Sequence, residues 1–138
     1  MKCFPHSCLW LVIFGVLGCG SGKSNDIVTV TGLVTLDEQP LEKGLIQFLP
    51  TDGNGTSDAC EIRQGAYSVD MLIGTKRVEV TSPKIIGQKK AYDTPESPVM
   101  DLLEEQIPLE YNGQSKLNAN VSREQKKFDF ALKSKAAL

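Results

Sequence analysis

The chain has 138 residues, with 15 lysines and arginines, 17 aspartates and glutamates, and a formal net charge of −2. This length suits one domain with a single modest core. The slightly acidic balance and the absence of a basic patch argue against nucleic acid as a partner.

The N-terminal residues carry the most informative pattern. Lys2 is followed by an apolar run over residues 9–18 and then by Cys19. The run is too short to cross a bilayer as a helix, and this order of features is the layout of a bacterial lipoprotein signal peptide. Residues 16–19 (VLGC) match the cleavage motif of such signals. We therefore predict removal of residues 1–18 and lipidation of Cys19.

Two other interpretations of the apolar run remain open. An ordinary secretory signal could be cleaved among the small residues near Gly18, and a buried core helix is the third alternative, although nothing amphipathic flanks the run. In the lipoprotein interpretation, residues 19–26 are the lipidated Cys and a polar tether. The lipid on Cys19 would then hold the domain at a membrane of the cell envelope, facing the periplasm or the exterior.

Processing would leave 120 residues, with 14 basic and 17 acidic side chains. It would also remove His6 and Trp10, the only histidine and the only tryptophan. A Ser-His-Asp or Cys-His catalytic arrangement and histidine-bound metals are thereby excluded from the predicted mature domain. We predict no catalytic residue, no cofactor and no metal site. The aromatic side chains left for a glycan surface are Tyr67, Tyr92 and Tyr111.

Alternation of apolar and polar residues runs through most of the remaining chain and indicates strands with one buried face. It predicts seven strands, at about residues 27–36, 44–49, 60–62, 66–71, 76–82, 117–121 and 128–132. Gly32 falls on the apolar face of the first strand, where it would allow another backbone to approach closely. Seven short strands predict an all-β sandwich over residues 27–133, followed by a tail at 134–138.

The loop after the second predicted strand spaces oxygen ligands in a way that faintly resembles a calcium loop, at Asp52, Asn54, Thr56 and Asp58. An EF-hand loop requires Gly at its sixth position and Glu at its twelfth, where this chain has Ser57 and Arg63. A simple Gly-rich turn is the favoured interpretation.

Cys60 would be the lone cysteine once the signal has gone and Cys19 carries lipid. Such a residue could be reactive or could pair between chains. Its spacing from Ile62 indicates an inward strand position, so we favour a small hydrophobic core residue.

Residues 83–115 interrupt the alternation and contain four prolines, Pro83, Pro95, Pro98 and Pro108. We predict a long loop here with no continuous strand or long helix. Residues 99–106 are predicted to form one or two helical turns, with Leu102 and Leu103 packed against the sandwich. A connection of this length is the first candidate for a binding surface.

The same segment is rich in carboxylates, at Asp93, Glu96, Asp101, Glu104, Glu105 and Glu110. Acid/base catalysis by a carboxylate pair requires a cleft and a fixed separation. We favour the interpretation that these side chains keep a loop solvated.

The order of several short motifs resembles the opening of carboxypeptidase regulatory-like, or transthyretin-like, domains. The motifs are residues 30–37 (VTGLVTLD), 40–41 (PL), 46–50 (IQFLP), 65–69 (GAYSV) and 74–80 (GTKRVEV). Residues 107–112 (IPLEYN), 115–117 (SKL) and 128–130 (FDF) are similar to short exported lipoproteins of this kind in planctomycete bacteria. The resemblance implies a seven-stranded Greek-key sandwich of prealbumin-like type, without catalytic residues. Residues 38–39 and 109–110 depart from the family pattern, which affects the loops and not the fold.

These observations predict a non-enzymatic, lipid-anchored β-sandwich that acts as a binding or structural module of the cell envelope. Its partner would be an envelope protein or a glycan. The alternative is a small-ligand or substrate-binding lipoprotein that uses residues 83–115 as a lid.

Overall fold

Residues 26–53 and 55–134 are described by a computed structural model, and most of them lie in β-strands. The strands are β1 (Ile27–Leu36), β2 (Gln39–Pro40), β3 (Lys43–Pro50), β4 (Asp58–Arg63), β5 (Ala66–Leu72), β6 (Gly74–Thr81), β7 (Pro83–Lys90), β8 (Val99–Glu105), β9 (Leu117–Val121) and β10 (Phe130–Leu132). Leu109–Tyr111 form a short 3₁₀ helix, and the described residues contain no α-helix. The all-β prediction is confirmed, and each of the seven predicted segments contains strand residues. The predicted signal peptide, Cys19 and residues 135–138 lie outside the described residues.

Most strands belong to one sheet with the order β10-β1-β5-β4-β3-β6-β9, and β2 pairs with β1 beside this path. Its neighbours are antiparallel except for β1 and β10, which run parallel. The remaining strands, β7 and β8, form a separate antiparallel pair.

The large sheet curls, because β4 and β5 are paired at only one position, Arg63 with Ala66, next to the turn that joins them. The strands on either side of this point can therefore face each other. Ring contacts confirm that they do, since the centroid of Phe48 on β3 lies 5.9 Å from that of Tyr67 on β5. This arrangement is consistent with a β-sandwich.

The core lies between the inward faces of the curled sheet. Alternate side chains of β1, β3, β6 and β9 are buried there, as the period-two pattern predicts. The buried apolar set is Val30, Val34, Leu41, Ile46, Phe48, Ile62, Tyr67, Met71, Val78, Val80, Ile107, Ala119, Val121, Phe130 and Leu132.

Gly32 is the point of closest backbone approach in this core. A Cβ atom at Gly32 would lie 1.7 Å from the carbonyl oxygen of Phe128, a distance that no folded arrangement tolerates. The same carbonyl accepts a 2.7 Å hydrogen bond from the Tyr67 hydroxyl. The prediction that Gly32 admits another backbone is thereby confirmed.

The segment before β10 follows β1 as a broken parallel ladder. The backbone N–H of Thr31 donates to the carbonyl of Lys126, and the N–H of Phe128 donates to the carbonyl of Thr31. At the next position the side chain of Asp129 replaces a main-chain acceptor and receives the N–H of Leu33 at 2.8 Å. The ladder thus continues past an irregular step without leaving the N–H of Leu33 unpaired.

The prediction for residues 83–115 is wrong in part. Strands β7 and β8 occupy much of the predicted loop, and residues 99–105 are extended where helical turns were expected. Leu103 is 60% exposed and does not pack into the core. Pro83 is the first residue of β7 and Pro98 directly precedes β8, positions where a missing N–H need not interrupt a ladder.

Replacing Gly32 by Ala is expected to destabilise the fold strongly, because the added methyl group and the Phe128 carbonyl cannot both keep their positions. We expect the free energy of unfolding to fall by about 3 kcal/mol or more. Gly113→Ala is the matched control, since nothing lies within 4 Å of a Cβ there. Urea denaturation of both variants measures the difference, and equal stabilities would contradict this account of the close approach.

Alkaline pH is expected to weaken the fold through Tyr67. Burial, together with the negative charge of Asp129, raises the pKa of Tyr67 well above its usual value. The stability that the neutral phenol contributes is complete below the unfolded-chain pKa of about 10 and is lost progressively above it. Tyr67→Phe removes the hydrogen bond to Phe128, at a cost of about 1 kcal/mol, and also removes this part of the pH dependence. Unfolding curves between pH 8 and pH 11 test both effects, and an unchanged alkaline slope in the variant would contradict the assignment.

Candidate functional site

Strands β7 and β8, with the turn between them, form a hairpin that stands apart from the core. Nearly every residue of both strands is exposed, and the two strands contact each other and little else. A two-stranded hairpin exposed on both faces is at best marginally stable in water. This makes residues 83–105, called the hairpin below, the most unusual part of the described chain.

The register of the two strands defines two faces. Residues that pair directly share a face, and successive residues alternate between faces. The face whose root is turned toward β3, called the inner face below, carries the pairs Pro83/Glu105, Ile85/Leu103, Gln88/Asp101 and Lys90/Val99. The outer face carries the pairs Lys84/Glu104, Gly87/Leu102 and Lys89/Met100. Ile86 is the extra residue of a β-bulge between Ile85 and Gly87.

A network of hydrogen bonds holds the root of the hairpin, where its two strands join the rest of the domain (the body). The carboxylate of Glu105 accepts the N–H of Ser82 at 2.7 Å and the N–H of Ile107 at 2.9 Å. The buried hydroxyl of Ser82 donates to the carbonyl of Lys43 at 2.5 Å and receives the side-chain amide of Gln106 at 2.6 Å. The two bonds to the Glu105 carboxylate are charge-assisted and therefore the stronger ones, so they do most to fix where the hairpin leaves the domain.

Two clefts adjoin this root. One of about 400 Å³ has an apolar lining of Leu45, Ile85 and Leu103, so it opens between the inner face of the hairpin and the outward side of β3. A second cleft, of about 420 Å³, has a more polar lining that includes Glu42, Lys84 and Gln106. Both volumes fall within the range of small-molecule sites.

Exposed apolar side chains concentrate on the hairpin. Of the eleven large exposed apolar residues in the described ranges, six lie between residues 83 and 105: Ile85, Ile86, Tyr92, Val99, Met100 and Leu103. Single exposed apolar residues are ordinary, but a cluster on one projecting element marks an interaction site. The segment that the sequence selects as the first candidate for a binding surface is thus a hairpin with exposed apolar side chains.

The predicted oxygen-rich loop does not form a cation site among the described residues. Asp58 turns inward, where one of its carboxylate oxygens lies 4.0 Å from the ammonium nitrogen of the buried Lys76. A carboxylate with an ammonium partner is a poor ligand for a second cation. Asn54 lies outside the described residues, and in the rest of the loop no group of three acidic, His or Cys side chains converges.

Two carboxylates of the hairpin take part in structural hydrogen bonds. Asp101 accepts a 2.7 Å hydrogen bond from the side chain of Gln88, and Glu105 binds the two main-chain N–H groups at the root. Glu104 lies on the opposite face of β8 from both. Asp101 and Glu105 on the inner face thus each have a structural partner.

Cys60 and the tyrosines are placed in different surroundings. Cys60 is half-buried against the core, and burial raises the pKa of its thiol, which favours the unreactive form at neutral pH. Tyr67 is buried, Tyr111 packs partly against the core, and Tyr92 is 70% exposed beside the tip of the hairpin. The three rings therefore do not share a surface on which a sugar could stack.

Comparison with known proteins leaves the chain without an assigned family. No family model, curated protein or solved structure matches it. Within the described ranges, no helix has the length and apolar character needed to span a membrane.

Removing the Glu105 carboxylate is expected to loosen the root of the hairpin. In Glu105→Ala the amides of Ser82 and Ile107 lose their acceptor, and we expect their hydrogen exchange to accelerate about tenfold. Glu104→Ala is the matched control on the neighbouring position of the same strand, and it leaves both bonds intact. Exchange followed by NMR resolves the two amides, and equal rates in both variants would show that Glu105 does not hold the root.

Proposed function

We propose that this chain is a non-enzymatic, lipid-anchored domain of the cell envelope that presents the β7–β8 hairpin as a binding or structural module. The observation that carries the proposal is the placement of the hairpin relative to the N-terminal end of the domain. Ile27, eight residues after Cys19, begins β1 beside the end of β5, whereas the hairpin begins two residues after the end of β6.

These two points lie at opposite ends of the domain. Ile27 pairs with Leu72, and β6 begins two residues later at Gly74. β6 then runs away from that end for its full length before the chain enters the hairpin at Pro83. A strand of eight residues spans about 26 Å, so an anchor before β1 leaves the root of the hairpin on the far side from the membrane.

The proposal includes a sandwich of the prealbumin-like, seven-stranded Greek-key type seen in carboxypeptidase regulatory-like domains, as the sequence motifs imply. The all-β character, the curled sheet and the strands at all seven predicted segments support it. In such a domain the hairpin is an addition to the sandwich, and the loops that depart from the family pattern need not change the core.

Presentation is the mechanism we infer. The anchor restricts the domain to a membrane surface, and the hairpin offers exposed Ile85, Ile86 and Leu103 together with charged side chains to an envelope protein or glycan. Exposed strand edges provide a second means of contact, because unpaired main-chain groups can accept an added strand.

A small-ligand site is the alternative, and the 400 Å³ apolar cleft between Leu45 and the inner face of the hairpin favours it. In this case the hairpin acts as the lid of that cleft. A metabolite that protects the amides of β7 and β8 from hydrogen exchange would favour this function over protein or glycan binding.

The anchor is tested by intact mass spectrometry of the membrane-extracted chain beside a Cys19→Ala variant. We expect a chain that begins at a diacylated or triacylated Cys19, and loss of both lipid and membrane attachment in the variant. Cys60→Ala is the matched control, because Cys60 is half-buried against the core and lies outside the cleavage motif. An unmodified wild-type chain would contradict the proposed anchoring.

A further inference from the structure

We propose that Ile27, Leu72 and Ile73, called the apolar end below, form a membrane-contact surface that dips into the lipid bilayer beside the anchor. This contact deepens the proposed function and depends on its lipid anchor, which brings that end of the domain to the membrane. It adds a second, non-covalent attachment and fixes which way the domain points.

The three side chains stand together where β1 begins and β5 ends. Ile27 pairs with Leu72, so the two lie on the same outward face. The N–H of Ile73 donates to the carbonyl of Asp26 at 3.0 Å, which continues this pairing into the turn before β6. Ile27 is 62% exposed and Ile73 is 38% exposed. A surface that approaches the domain end-on therefore meets both side chains at once.

The outward face of β1 and β5 becomes polar directly above the apolar end. The next two pairs along the ladder are polar: Thr29/Asp70 and Thr31/Ser68. The hydroxyl of Thr29 donates to the carboxylate of Asp70 at 2.6 Å. Two residues of a strand span about 7 Å, which matches the depth of about 5–10 Å to which interfacial apolar side chains enter a bilayer. A membrane can thus cover the apolar end without burying these polar groups.

The charges at this end favour an apolar contact over attraction to anionic lipid. The carboxylate of Asp26, next to Ile27, is paired with the guanidinium of Arg123, so this charge is neutralised. Asp52 and Glu124 lie on neighbouring turns of the same end. Because these carboxylates would be repelled by an anionic surface, the partner that the chemistry indicates is a zwitterionic bilayer.

The length of chain before Ile27 identifies the membrane as the surface that covers the apolar end. Ile27 is the eighth residue after Cys19, and eight residues reach at most about 28 Å. A lipid on Cys19 therefore keeps the apolar end close to the bilayer at all times. At the high effective concentration that such a short tether gives, a weak contact is sufficient. The hairpin at the opposite end then points away from the membrane.

The contact is tested with a single tryptophan as reporter, in the lipidated chain extracted from membranes and placed in phosphatidylcholine vesicles. Ile27→Trp puts the indole at the apolar end, and Leu33→Trp is the matched control on the same face of β1, about 20 Å away. Both carry Trp10→Phe, so that neither has a second tryptophan. We expect brominated acyl chains to quench the emission about twofold or more at residue 27 and to leave it unchanged at residue 33.

A second substitution tests the apolar character of the contact. Ile73→Ser, added to the Ile27→Trp chain, removes part of the apolar surface, and we expect the quenching at residue 27 to fall about twofold. Leu33→Ser in the same chain is the control, because Leu33 is also exposed but lies far from the apolar end. Both side chains are at the surface, so thermal unfolding is expected to show similar melting temperatures for the two variants.

Equal quenching at residues 27 and 33 in a chain that carries lipid on Cys19 would overturn the contact and leave the anchor in place. Quenching that Ile73→Ser leaves unchanged would also overturn it. Emission at residue 27 that shifts to the blue with protein concentration, without vesicles, would assign the apolar end to a second copy instead. A chain without lipid whose emission at residue 27 is still quenched by vesicles would refute the anchor and support the contact.

Discussion

The contact on which this fold most depends is the one between the main chain at Phe128 and the bare face of Gly32. It lets the segment before β10 lie directly against β1, with the Tyr67 hydroxyl closing the contact from the core side. Phe130 and Leu132 are then delivered into the core beside Val34. A larger side chain at residue 32 would hold this segment away from β1 and expose apolar surface that several strands share.

The hairpin is held in place by different interactions from those that order the rest of the domain. The core strands are ordered by burial on one face, whereas β7 and β8 bury little and are positioned by polar bonds at their root. The hydrogen bonds of Ser82, Glu105 and Gln106 therefore fix the position of the hairpin more than packing does. The hairpin can therefore project apolar side chains outward without disturbing the curled sheet.

Much of the sheet could be predicted because inward and outward residues alternate from β1 through β6, and again in β9. The inward position of Gly32 was readable in the same way. The sequence does not predict the hairpin, because its nearby prolines indicate breaks in any strand, whereas Pro83 is the first residue of β7 and Pro98 directly precedes β8. The alternation of Val99, Asp101 and Leu103 with Met100 and Leu102 contains too little polarity contrast to distinguish a strand exposed on both faces.

The sequence predicts which segment forms the candidate site, but it does not predict the conformation or the contacts of that segment. Its carboxylates are conspicuous in the sequence, yet the role of Glu105 depends on the N–H of Ser82, which is separated from it by 23 residues along the chain. Likewise, the inward turn of Asp58 toward Lys76 follows from the pairing of β3 with β4 and with β6, which no local pattern encodes. The role of Glu105 and the orientation of Asp58 are both set by contacts between segments that are far apart in the sequence.

The parallel pairing of β1 with β10 has a consequence for the order of events during synthesis. Leu33 and Asp129 are 96 residues apart, so this edge of β1 stays unpaired until one of the last segments of the chain has been made. Contacts of such long range form slowly, because a large loop must close before they contribute. A chain threaded outward through a membrane pore from its N-terminal end would thus complete its core only after nearly all of it had crossed.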